Sequence, residues 1–166
     1  MIIVGRKREQ EQLDKIFKSK ESEFITIYGR RRIGKTYLIK SFFTTKDCVF
    51  FHATGLQGGS MQDQLNRFAT SLSDTFFNKS PLGTHKNWNT LFTLLHSQVE
   101  KADKKVVIFL DELPWMATRK SKLLQEIDYF WNHYWSMRSN IILIVCGSSA
   151  SWLIKKIIYN KGGLHN

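Results

Sequence analysis

Gly29-Arg30-Arg31-Arg32-Ile33-Gly34-Lys35-Thr36, GRRRIGKT, fits the pattern GxxxxGK[ST], and the apolar run Phe24-Ile25-Thr26-Ile27-Tyr28 stands directly before it. A strand that enters such a loop and a helix that leaves it make a phosphate cradle. Gly29 and Gly34 let the backbone turn tightly and come close to an anion, so that successive N–H groups converge and the following helix adds its positive end. The Lys35 ammonium is placed for the β- and γ-phosphates and the Thr36 hydroxyl for Mg²⁺. Tyr37, Leu38, Ile39, Phe42 and Phe43 continue as an apolar helical segment suited to pack beneath a sheet. The stretch from Gly29 to Tyr37 therefore predicts a nucleoside triphosphate site.

Outward from the loop, apolar runs and helical spacings alternate. A polar segment from Arg6 to Lys20 with Leu13, Ile16 and Phe17 on one face reads as an amphipathic helix. The run Cys48-Val49-Phe50-Phe51-His52 reads as a strand ended by the glycine-containing stretch 53–60, with Ser60 and Asp63 as a capping pair. Leu65, Phe68, Ala69, Leu72 and Phe76 mark one helix, and Trp88, Leu91, Leu95 and Val99 a second beyond the break at Pro81-Leu82-Gly83. Val106 to Leu110 is an unbroken branched and aromatic run, as expected of a strand buried on both faces of a parallel sheet. A helix through Leu123, Leu124, Ile127, Phe130, Trp131 and Tyr134, the strand Ile141 to Cys146 and a helix from Ala150 follow. This alternation predicts a three-layer α/β domain with right-handed crossovers, one domain over residues 1–166.

Two strand ends supply further chemistry. Asp111-Glu112 follows the buried run, an arrangement of the Walker B type in which Asp111 holds Mg²⁺ through water and Glu112 orients or activates the attacking water. An ordinary acidic turn before Pro114 is the competing reading. Gly147-Ser148-Ser149 ends the next strand, where Ser148 can reach the γ-phosphate or the water; capping of the helix that begins at Ala150 competes for both serines.

Composition bounds the rest. The 166 residues carry 25 Lys and Arg against 14 Asp and Glu, a net charge of +11 that attracts polyanions without naming one. Arg30, Arg31 and Arg32 fit support of a triphosphate better than a nucleic-acid patch. Cys48 and Cys146 lie far apart and read as buried reduced thiols. No apolar run approaches membrane-spanning length, and a cytoplasmic protein is the default expectation. The five histidines lack HxxxH or HExxH spacing, which argues against zinc; His52 alone could approach the site from a strand end. Most tryptophans read as core, while Trp115 follows the acidic pair on a loop and could face a partner.

Four segments in this order, GRKRE at 5–9, GRRRIGKT at 29–36, FLDELPWM at 109–116 and CGSSASWL at 146–153, resemble the archaeal-type ATPase family, found also in bacteria, among the AAA+ and STAND-related P-loop ATPases. The resemblance implies an ASCE-type, AAA+-like P-loop fold with five parallel strands in the order 5-1-4-3-2, then a helical lid and often a winged-helix or nuclease-like domain. It also implies that Val4, Gly5 and Arg6 lie near the adenine of ATP, where spacing alone makes residues 6–8 a solvated helix start. Only four strand candidates occur, so a core cut before the fifth strand and lid is expected. An Mg²⁺-dependent ATPase driving a conformational or assembly switch is the leading expectation, with Lys35, Glu112 and Ser148 as catalytic groups and Thr36 and Asp111 on the metal. A DNA-associated module and, less favoured, a small-molecule kinase stand beside it. Self-association remains open.

Overall fold

Odd and even positions of the two central strands go to different layers. Val107, Phe109, Ile142, Ile144 and Cys146 pack with Leu13, Leu38, Ile39, Phe42 and Phe43, whereas Val106, Ile108, Leu110, Ile141, Leu143 and Val145 join a larger cluster on the other face. In the computed structural model, which describes residues 6–158, both strands are buried along their whole length. A strand covered on both faces loses the polar alternation of a half-exposed one, which is why the two runs read as continuous apolar sequence.

The elements are α1 (Lys7–Lys18), β1 (Glu23–Tyr28), α2 (Lys35–Phe43), β2 (Val49–Thr54), α3 (Met61–Phe76), α4 (Trp88–Lys101), β3 (Val106–Asp111), the short α5 (Leu113–Met116), α6 (Leu123–Phe130), β4 (Ile141–Gly147) and α7 (Ala150–Leu153). α6 and α7 each continue as a π-helical turn, Trp131–Trp135 and Ile154–Ile158. The four strands form one parallel sheet in the order β1-β4-β3-β2, the order that the resemblance implies for those four. Helices α1 and α2 cover one face; α3, α4 and α6 cover the other. The fold is therefore the expected three-layer α/β P-loop arrangement.

Register aligns the functional ends. Tyr28 pairs with Gly147, Leu110 with Val145 and Thr54 with Asp111, so all four strands release their chains at one edge. In an open parallel sheet this carboxyl edge is where ligands bind. Ser60 and Asp63 form the reciprocal capping box that starts α3. Cys146 is buried, but Cys48 is only half-buried and precedes β2 rather than lying in it, because the chain enters the sheet at Val49. Of the described helices, none is long and apolar enough to cross a membrane.

Candidate nucleotide-binding site

The phosphate loop owes its shape to a few unusual backbone angles. Gly34 caps α2 at φ 83° and Arg32 sits at φ 64°, both in the left-handed region that turns neighbouring N–H groups inward. Lys35 is 8% exposed, and its Nζ donates to the carbonyls of Gly29 at 2.7 Å and Arg30 at 2.8 Å. The lysine thus lies within the cradle instead of reaching into solvent. Arg6, the residue before α1, donates from its guanidinium to the Ile33 carbonyl and so ties the helix start to the loop. Val4 and Gly5, expected near the base, lie outside the described residues. Ile33 and Tyr37 are exposed beside the loop.

Across the edge, the Thr36 hydroxyl donates to Asp111 Oδ2 at 2.6 Å, and Asp111 Oδ1 accepts the Glu112 N–H at 3.0 Å. His52 Nε2 stands 3.7 Å from Asp111 Oδ2 and 3.0 Å from the Thr54 hydroxyl, with its ring stacked on Phe109. Burial pushes the Asp111 carboxyl upward, but the His52 and Thr36 interactions outweigh it and hold the group below its ordinary value. The neighbouring Cys146 thiol is driven well above its ordinary value by burial and then by the Asp111 charge, which keeps it protonated and inert. The Thr36 hydroxyl and the Asp111 carboxylate present hard oxygen donors side by side. Such a pair suits Mg²⁺, which takes few protein ligands and completes its shell with phosphate and water.

Glu112 occupies the left-handed region itself, at φ 48° and ψ 48°, and opens α5. Its Oε2 accepts from the Ser148 N–H at 3.4 Å and from the Ser148 hydroxyl at 3.3 Å. Ser149 stands at the cap position of α7, yet its side chain makes no capping bond. The two serines therefore divide: Ser148 faces the acidic turn, and Ser149 caps with its backbone carbonyl alone.

The sequence did not reveal α5, because Pro114 and Trp115 read as a loop. Pro114 instead occupies the first turn, where its missing N–H costs nothing. Two glycines fix this turn from outside. A Cβ on Gly55 would lie 2.5 Å from the Glu112 carbonyl oxygen and 2.7 Å from the Met116 nitrogen; one on Gly147 would lie 2.7 Å from the Pro114 ring. The available signal was a glycine just past β2 and another at the end of β4. Trp115 is half-buried, with the Arg31 guanidinium 4.7 Å from its ring centre.

A cavity of about 370 Å³ opens between α1, β1 and α2, with Arg6, Tyr28, Ile33 and Lys35 in its wall. A larger one, about 1090 Å³, lies around residues 20–24 and 136–140 at the amino edge of the sheet, away from all these groups. Among the described residues no three His, Cys, Asp or Glu side chains cluster as a metal cage.

A phosphate loop on β1, an acidic pair at the end of β3 and a polar residue at the end of β4 define a P-loop nucleoside triphosphatase fold. The chain belongs to the family described as ATPase domains predominantly from Archaea, whose model matches residues 3–166. It is 26% identical over 165 residues to an uncharacterized protein of Methanocaldococcus jannaschii, covering 99% of this chain and 34% of that one. It also resembles the Walker-type ATPase of Pyrococcus abyssi, with a TM-score of 0.59, 17% identity, and coverage of 98% of this chain and 50% of that chain. The ORC1 protein of Aeropyrum pernix, in a structure with DNA, aligns with a TM-score of 0.62 at 11% identity, covering 92% of this chain and 41% of that chain. The chain thus spans about a third of the first relative and half or less of these solved chains.

Proposed function

We propose that the chain is the nucleotide-binding core of an Mg²⁺-dependent ATPase whose hydrolysis cycle switches the conformation or assembly of a longer protein. The observation that supports this most is the 2.6 Å hydrogen bond from Thr36 to Asp111, which joins the phosphate loop to the acidic turn across the sheet edge. In this reading Lys35 neutralises charge on the β- and γ-phosphates, and the loop N–H groups hold the polyphosphate in place. Thr36 and Asp111 would hold Mg²⁺, which supplies charge compensation to the transferred phosphoryl group. Glu112 orients the water and takes up its proton as the water oxygen bonds to the γ-phosphorus and the bond to the bridging oxygen breaks, giving ADP and inorganic phosphate. Ser148, through its contact with Glu112, keeps that carboxylate aimed. Arg6, bonded to the Ile33 carbonyl, brings the start of α1 to the edge of the base site, and Val4 and Gly5 are proposed as further base contacts.

The test separates binding from turnover. Lys35→Ala is expected to weaken ATP binding at least tenfold, a loss of the size set by a charge-assisted contact. Glu112→Gln in the longer protein should retain ATP binding and lose turnover by about a hundredfold or more. Unchanged ATP affinity in Lys35→Ala removes the proposal.

A second reading places DNA against the chain's basic surface, supported by the +11 charge and by the DNA in the ORC1 structure. A salt titration decides it, since phosphate contacts weaken steeply with ionic strength. Self-association is a further proposal for the assembly switch, checked by light scattering with and without ATP.

A further inference from the structure

Arg31 leaves the phosphate loop toward a different part of the chain. Its guanidinium stacks over Trp115 at 4.7 Å, on the turn that begins at Glu112. That turn is a rigid platform: the Trp115 N–H donates to the Glu112 carbonyl at 2.9 Å, and Gly55 approaches so closely that a Cβ there would lie 3.1 Å from the Trp115 Cβ. The aromatic partner is thus fixed, while Arg31 itself is exposed and free to present its donors.

A guanidinium interacts in two separate directions. Its face stacks on an aromatic ring, and its N–H donors point outward in its own plane, with a spacing that matches phosphate oxygens. Stacking on Trp115 therefore uses the face and leaves the edge for an anion. The position is asymmetric with respect to a bound polyphosphate. Lys35 is buried inside the loop, against the Gly29 and Arg30 carbonyls, from where it serves the β-phosphate that a di- and a triphosphate share as well as the γ-phosphate. Arg31 instead spans from the loop to the acidic turn, the side on which Glu112 would present water to the last phosphate of a triphosphate. A diphosphate ends short of that span.

We propose that Arg31, held by the Trp115 ring, contacts the terminal phosphate and sets the preference of this site for a nucleoside triphosphate over a diphosphate, with Trp115 as its positioning residue. This rests on the nucleotide-site reading above.

The experiment is calorimetric titration of the 166-residue chain with ADP and with a non-hydrolysable ATP analogue, each with Mg²⁺. Parent, Lys35→Ala, Arg31→Ala, Arg31→Lys, Trp115→Ala and Trp115→Phe are compared. Arg31→Ala is expected to weaken the ATP analogue about tenfold while ADP changes by less than about twofold. Arg31→Lys recovers little, because an ammonium lacks the stacking face. Trp115→Ala should shift the ATP-to-ADP ratio in the same direction, and Trp115→Phe should restore most of it. Equal weakening for both nucleotides, or no change in Arg31→Ala, overturns the proposal and leaves the nucleotide site standing. If the parent binds neither nucleotide, or Lys35→Ala binds both as the parent does, the site reading itself fails and this proposal with it. Arg31 is an exposed side chain, so its variants decide the matter even if Trp115→Ala does not fold.

Discussion

The phosphate loop and the acidic turn meet at the bond between Thr36 and Asp111, and they are built in opposite ways. The loop shapes itself: Gly34 and Arg32 provide the left-handed turns, and the Lys35 ammonium closes on the loop's own carbonyls. The turn from Glu112 to Met116 is shaped from outside, by Gly55 beyond β2 and Gly147 at the end of β4. A locally determined element keeps its shape when its surroundings shift. An element held by distant chain segments keeps its shape only while those segments hold theirs.

The strongest way to break this comparison is an alanine on each side. Gly55→Ala pushes a methyl group into backbone atoms at 2.5 and 2.7 Å that cannot rotate away, so a loss of about 3 kcal/mol is expected. Gly34→Ala meets nothing nearer than the Arg6 guanidinium at 3.8 Å and pays only for its positive φ, about 1 kcal/mol. Urea denaturation of both variants measures the two numbers. Similar losses would mean that the turn is no more dependent on its neighbours than the loop is.

That contrast also explains what could be read from sequence. The loop was legible because its chemistry is contiguous from Gly29 to Thr36, and the strands β3 and β4 because two-sided burial leaves an unmistakable apolar run. The sheet order came from a family resemblance and not from periodicity, since pairing partners lie far apart in the chain. α5 was missed because four residues with a proline carry no helical period. The contact of His52 with Asp111 was foreseen only as an approach from a strand end; its realisation depends on the β2–β3 register, which places His52 opposite Phe109. A site role for Ser148 was legible from its place at the strand end, but which of the two adjacent serines would cap α7 was not, because that depends on how the chain leaves β4.

Acid titration gives the next, smaller effect, at the junction of the two regions. Asp111 has its carboxyl held below the ordinary value of 3.8 in the folded chain, with burial opposed and outweighed by His52 and Thr36. A depressed folded pKa contributes stability that is present above the unfolded value and is lost as pH falls through the folded one. Asp111→Asn removes this contribution while leaving an oxygen to accept from Thr36. The stability difference between parent and variant should therefore be largest near neutral pH and shrink below about pH 4. Denaturation curves at pH 6 and in steps down to pH 3 check the sign. A difference that stays constant across this range would show that the Asp111 charge adds nothing to folding.

The smallest effect is expected at Ser148, and it separates the two serines. Its bonds to Glu112, at 3.3 and 3.4 Å, are long, so Ser148→Ala should cost only about 0.5 kcal/mol of stability. Glu112 sits in the left-handed region at φ 48°, and the N–H and hydroxyl of Ser148 restrain the aim of its carboxylate. Turnover of the longer protein should then fall several-fold in Ser148→Ala with KM little changed, since the Lys35 grip on the phosphates is intact. Ser149→Ala is the control, because its side chain makes no capping bond. Equal turnover in the two variants would reduce Ser148 to an ordinary strand-end residue and leave Glu112 aimed by its backbone alone.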